Sequence, residues 1–247
     1  TNGGGASSCP TYSIGFYQLA DFNFIHTYRT ATGVDISESM NYVLKFMDYL
    51  DWVRLPDPEK VGSARDFGMG DSHHSNMRLS YQDANYNICD IVNIYGNKHP
   101  EIIPQAAQML RQFSVRRYSD MVPFVRLTHK VFADESMAAA EAQSRKSMYF
   151  DTMGQVIMRS GDGEDDTYAL FVSGGLETNH KHYDNNNFII YRNGYRALDS
   201  GTRPEPGQHL SHYFARTVAH NCVTIRMPGE TFPKYWGSAA PGETVLP

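Results

Sequence analysis

Apolar side chains recur at helical spacing through the first part of the chain and at strand spacing through the second. Over 17–28 they fall at 17, 20, 24 and 28, with 22 and 25 beside them, and Gly33 follows as a stop signal. Asp35 and Glu38 stand three apart, the spacing of a capping box, and open a second helix over 40–53. That helix carries two apolar stripes, one at 40, 43, 44 and 47 and another at 42, 46, 49 and 53, so burial between neighbours is expected. A glycine-rich passage over 61–74 (VGSARDFGMGDSHH) is expected to be a long loop. Helical spacing resumes over 80–95, ended by Gly96, and again over 101–114 and 117–132, where Pro123 marks a break. The alanine- and glutamate-rich 133–143 is expected to be a terminal helix or helical linker.

From about Arg145 the texture changes to short runs rich in Val, Ile, Tyr and Phe: 148–150, 155–159, 168–172, 188–192, 195–198 and 221–226. Asn193-Gly194 between two of these runs predicts a hairpin with a type I′ turn. Asp162–Asp166 (DGEDD) lacks the ligand spacing of a calcium loop and is expected to be a solvated hairpin turn. Helices followed by strands imply an α+β chain with two domains, 1–143 helical and 144–247 an antiparallel sheet.

Composition narrows the function classes. With 41% apolar and 20% charged residues over a length of 247, the chain has enough material for a packed core. Its net charge of −5 argues against general binding to nucleic acid or to an anionic membrane. No run approaches the ~20 apolar residues that span a bilayer. The N-terminal Thr1-Asn-Gly-Gly-Gly carries no signal-peptide features, and Cys9, Cys89 and Cys222 form no CxxC pair. Sixteen Tyr and 13 Phe give a high aromatic load, a frequent property of binding clefts and of ordinary cores alike.

The histidines point to chemistry. Five of the ten, His180, His182, His209, His212 and His220, fall within 41 residues. If the chain is extended there, His180, His182 and Asp184 share one face. Two neutral imidazoles and a carboxylate suit zinc. A two-residue turn at 193–194 sets Asp199 opposite Phe188, six residues beyond His182 and roughly 20 Å from it along a straight strand. A metal site therefore requires 183–187 to bend back, and its Asp-Asn-Asn-Asn run is suitable turn material. The competing reading is a set of ordinary hydrogen-bonded histidines. His209 and His212 flank a loop rich in Pro and Gly and are expected to face solvent, and His73 and His74 fit a loop or a cleft wall.

These residues resemble the heparinase II/III-like polysaccharide lyases. The resemblance rests on His180-Lys-His182-Tyr-Asp184-Asn-Asn-Asn-Phe188, on Asp199-Ser-Gly201, and on Thr217-Val-Ala-His220-Asn221. It extends to 148–160 (MYFDTMGQVIMRS), to Pro10-Thr-Tyr12-Ser-Ile-Gly15-Phe-Tyr17 with Ala31-Thr-Gly33, and to Phe67-Gly-Met-Gly-Asp71-Ser72. It implies an incomplete (α/α) toroid joined to an antiparallel β-sandwich, with the cleft between them. By the same resemblance His180 is a catalytic histidine, Tyr12 or Tyr17 is the proton donor, and His182, Asp199 and His220 bind a structural zinc. Arg216, Tyr213, Lys181 and His74 are the expected substrate-binding groups.

The implied reaction is β-elimination on a uronate-containing polysaccharide, foremost a heparin- or heparan sulfate-type polymer, with alginate-type substrates as the alternative. Two other classes stay open: a non-catalytic carbohydrate-binding homologue, and a zinc hydrolase using the same three ligands. An acidic chain can bind an acidic polymer where it is locally basic, and residues 180–226 hold six Lys and Arg against three Asp and Glu. The expected partner is an anionic polysaccharide, with neither nucleic acid nor membrane involved and a homodimer left open. The resemblance also implies a periplasmic or secreted location. Against it, 247 residues read as the central piece of a longer two-domain enzyme.

Overall fold

Helices occupy the first half of the described chain and an antiparallel sheet the second. The computed structural model describes residues 13–14, 18–56, 81–112, 145–161, 163, 165–174, 182–201, 213–223 and 228–229. The expected loop 61–74, the helices over 117–132 and 133–143, and the boundary at 143 lie outside the described residues. The helices are α1 (Gln18–Thr32), α2 (Tyr42–Val53), α3 (Tyr81–Tyr95) and α4 (Ile102–Gln112). Helix α3 is the hub, packing against each of the other three. Gly33 ends α1 at φ +73, a left-handed position that a side chain disfavours, and its N–H donates to Arg29 O at 2.8 Å.

The capping-box expectation is corrected. Asp35 accepts the Ser37 N–H at 2.9 Å and so opens a short 3₁₀ turn, Ser37–Met40, rather than α2 itself. Glu38 does not reach back; it lies 3.7 Å from Lys98 Nζ and 3.3 Å from His99 Nε2. Lys98, just beyond α3, takes the other Asp35 oxygen at 2.9 Å, so a tertiary ion pair replaces the local cap. Tyr95 fixes the same turn by donating its hydroxyl to Met40 O at 2.8 Å. The two-stripe reading of α2 matches its burial, since Val43, Phe46, Met47, Tyr49, Leu50, Trp52 and Val53 are all in the core. Tyr42 departs from it at 41% exposed, with its hydroxyl on Asp21.

The sheet runs in the order β1 (Ser147–Phe150), β2 (Gln155–Arg159), β3 (Tyr168–Val172), β4 (Asn187–Tyr191) and β5 (Tyr195–Ala197), each strand antiparallel to the next. Asn193 and Gly194 both take positive φ, at 50 and 116, as the Asn-Gly signal predicts. The closure is not a plain two-residue one: Tyr191 pairs with Tyr195 while Ile190 pairs with Ala197, so the hairpin carries a bulge. The DGEDD segment joins β2 to β3, and its described Asp166 accepts Ser160 Oγ and the Gly163 N–H at 2.7 Å each. The expected strand over 221–226 is described only to 223, and those three residues are not in a strand. The sheet faces are sharply different. Inward lie the registered rows Met148–Ile157–Leu170–Ile189 and Phe150–Gln155–Val172–Asn187; outward lies Tyr149–Val156–Phe171–Phe188.

Helices and sheet meet at the end of α2. The Arg159 Nη2 donates to Asp51 O at 2.7 Å, to Trp52 O at 2.8 Å, and to Arg54 O. Last-turn carbonyls of a helix have no partner within it, and a cation there also meets the negative end of the helix dipole. The guanidinium packs over the rings of Trp52 and Tyr168, and Tyr168 adds its hydroxyl to Trp52 O at 2.9 Å. Tyr49 closes the junction edge-on to Phe150, with ring centroids 5.1 Å apart.

Two outcomes follow from these contacts. Arg159→Met removes a charged donor and leaves buried carbonyls without it, so a loss of about 3 kcal/mol is expected in urea unfolding, against about 1 kcal/mol for Tyr168→Phe. The bonds from Lys98 and then Ser37 hold the Asp35 carboxyl well below its ordinary value of 3.8. A lowered folded value stabilises in full above 3.8 and progressively less below it. The stability gap between wild type and Asp35→Asn should therefore be widest at neutral pH and narrow in acid unfolding below 3.8.

Candidate functional site

The Asp-Asn-Asn-Asn run forms the bend that the spacing demanded. Asn187 N–H donates to Asp184 O at 3.0 Å, Asn186 sits at φ 69, and its N–H donates to Val172 O at 2.7 Å. The chain thus turns back ahead of β4 instead of extending it. Tyr183 is clamped on both sides, its N–H to Ala215 O at 3.0 Å and its carbonyl from Thr217 Oγ1 at 2.8 Å. As a result the His182 and His220 rings lie 5.4 Å apart between centroids.

Asp199 joins them from the other end of the hairpin. The Ile190↔Ala197 pairing, carried on by two residues, sets Asp199 opposite Phe188 and beside Asn187. Its Oδ2 accepts from Asn187 Nδ2 at 2.7 Å, and its Oδ1 accepts the Gly201 N–H and meets His220 Nδ1, each at 2.8 Å. Asn187 Oδ1 accepts the Asn221 N–H at 3.1 Å. Asn221 Nδ2 in turn donates to Phe188 O at 2.8 Å and Leu198 O at 3.1 Å. Gly201 is glycine for a steric reason: a Cβ there would stand 2.2 Å from His220 Cε1. The group is buried, Asn187 and Asp199 fully and His182, Asp184, Arg216 and His220 nearly so.

Burial works against a charged His220, but the Asp199 hydrogen bond and charge overcome it and raise the pKa above its ordinary value. Asp184 and the Phe214 carbonyl act in the same direction. Burial, with Asp184 and Asp199 nearby, pushes the Cys222 thiol up to about 11, so it stays protonated at neutral pH. As a donor set, two imidazoles and a carboxylate in a buried pocket suit zinc. Among the described residues, however, no three His, Cys, Asp or Glu side chains are arranged as a ready metal cage. The Asp199 carboxylate is directed at His220 Nδ1 instead.

Of the expected site residues, His182, Asp199 and His220 are brought together. Arg216 lies inside the same cluster with its guanidinium 5.6 Å from the Tyr183 ring centroid, and Tyr213 is 45% exposed beside it in sequence. Tyr12, Tyr17, His74, His180 and Lys181 lie outside the described residues, as do His209 and His212. Asn187 and Asn221 belong to the site although no metal or catalytic spacing marks them. The available signal was parity, because Asn187 stands at an inward position of an otherwise apolar strand. Among the described residues no helix is long and apolar enough to cross a membrane.

Residues 142–239 match the family model described as heparinase II/III-like, C-terminal. Among solved structures, a heparinase III gene product superposes with a TM-score of 0.56 at 16% identity, over 91% of this chain and 30% of its own. Heparan sulfate lyase HepC from Pedobacter heparinus gives a TM-score of 0.54 at 16% identity, over 89% of this chain and 30% of its own. Identity this low speaks for a shared fold alone, and the chain spans 30% of the length of these neighbours. No curated protein sequence matches it. Residues 142–239 thus carry a heparinase II/III-like C-terminal domain, and the fold likeness to these lyases extends over nine-tenths of the chain.

Proposed function

We propose that this chain is the cleft-forming part of a polysaccharide lyase that cleaves a uronic-acid-containing polymer, of the heparin or heparan sulfate type, by β-elimination. The buried cluster of His182, Asp199 and His220 carries the reading, because it gathers two imidazoles and a carboxylate within the span of the family match. The family match over residues 142–239 supports the reaction class, and the likeness to heparinase III and heparan sulfate lyase structures supports the substrate class.

In this reading a base removes the proton α to the uronate carboxylate and the bridging oxygen departs from the adjacent carbon. A Tyr or His within hydrogen-bond reach takes that proton, and a tyrosine hydroxyl returns one to the leaving oxygen. His180 and Tyr12, with Tyr17 as the second choice of tyrosine, are assigned these roles. Neutralising the carboxylate lowers the cost of the carbanion-like transition state. Lys181, His74 and Tyr213 are assigned to the polymer, whereas Arg216, buried against Tyr183, is assigned to holding its own loop in place.

His182, Asp199 and His220 are assigned to a zinc ion, whose contribution when bound is a fixed charge that orients its ligands. The helical part, 1–143, is assigned to an incomplete (α/α) toroid and 144–247 to the N-terminal part of an antiparallel β-sandwich. The outward row with Tyr149, Phe171 and Phe188, 52%, 36% and 43% exposed, supports the sandwich, since it is the apolar face a second sheet covers.

The test is ultraviolet absorbance of the unsaturated uronate formed on heparan sulfate, measured with this chain and with a longer natural form. Growth of that chromophore, reduced by about 100-fold or more in His180→Ala, is the expected result. Cleavage without the chromophore marks a hydrolase, and binding without cleavage a carbohydrate-binding homologue; either overturns the proposal.

A further inference from the structure

We propose that Asn87 of α3 is a positioning residue for the elimination: its carboxamide fixes the backbone at Ile14, and with it the segment that supplies the acid–base tyrosine. The inference rests on the assignment of Tyr12, or else Tyr17, as the proton donor.

Asn87 stands where helical periodicity asks for an apolar residue, one turn before Ile91 and two before Ile94 on the core face of α3. Its Nδ2 donates to Ile14 O at 2.8 Å, across 73 residues of chain. A carbonyl only accepts, so this partner settles which end of the amide is which. The other end, Oδ1, is buried and makes no hydrogen bond. A carboxamide bonded at one end only costs stability in a core, and an apolar side chain of similar shape would not. What Asn87 does in return is hold Ile14. Ser13 and Ile14 are themselves fully buried, so the Ile14 carbonyl depends on a protein donor.

Tyr12 stands two residues before Ile14 and Tyr17 three after it. At about 3.6 Å of chain per residue, neither backbone can lie more than about 11 Å from the anchored one. One turn further along the same face of α3, Asp90 Oδ1 lies 3.5 Å from His26 Nε2 of α1, the helix that continues this segment. Helix α3 therefore meets the tyrosine segment and α1 through two buried polar side chains. Proton transfer is steep in distance, and a misplacement of about 1 Å can cost about 100-fold in rate.

Rates of unsaturated-uronate formation on heparan sulfate are measured over a range of polymer concentrations, with this chain and with the longer natural form, and melting temperatures are recorded alongside. Asn87→Leu keeps the branched shape without the donor. Its kcat is expected to fall by about 10–100-fold while KM and Tm stay near those of wild type. Asn87→Gln, which keeps the donor on a longer arm, should recover part of kcat and serves if the leucine variant does not fold. Tyr95→Phe is the structural control on the same helix: it removes the hydroxyl held between Ser37 O and Met40 O and should lower Tm with kcat unchanged. Wild-type kcat in the Asn87 variants, whether Tm falls or KM rises, overturns the role of Asn87 and leaves the lyase reading standing. A wild-type protein that forms no unsaturated uronate in either form overturns both.

Discussion

The carbonyl groups at the end of α2 must be satisfied away from water, and one guanidinium from the sheet does it. Arg159 binds the carbonyls of Asp51, Trp52 and Arg54 and is itself covered by Trp52 and Tyr168. A helix end that depends on a strand cannot move independently of it. Helical core residues such as Phe46 and Ile91 and sheet core residues such as Ile157 and Ile189 accordingly belong to one continuous apolar cluster. Any cleft shaped by the two parts inherits that rigidity.

The same logic governs the polar cluster at the opposite end of the sheet's inward face. Its members are buried, so each hydrogen bond is worth more, and each missing one costs more, than at the surface. Asp199 lies at the centre, its two oxygens shared among Asn187, Gly201 and His220. Gly201 lets the His220 ring approach where no side chain fits. Three stretches distant in sequence are thereby held at fixed separation, which is the preparation that proton transfer or metal binding requires.

Much of the local structure was legible because it is set by neighbours in sequence. The strands over 155–159 and 168–172, the Asn193–Gly194 turn and the glycine stop at 33 all follow from alternation and backbone preference. The local rule failed at Asp35 and Glu38, whose spacing is that of a capping box but whose carboxylates are taken by Lys98 and His99 from beyond α3. It failed also at 221–223, where the apolar alternation that begins there did not by itself make those residues a strand.

Sequence by itself determined the order of helices and strands, the bend at Asp184–Asn187 as a requirement for any metal site, and the family motifs over 180–221. Tertiary structure alone decided that Arg159 serves a helix end, that Arg216 is buried against Tyr183, and that Asn187 joins Asp199 to the His220 segment. The reason is physical. Periodicity and turn preference act over a few residues, whereas a buried polar group is bonded by whatever the fold brings within about 3 Å of it.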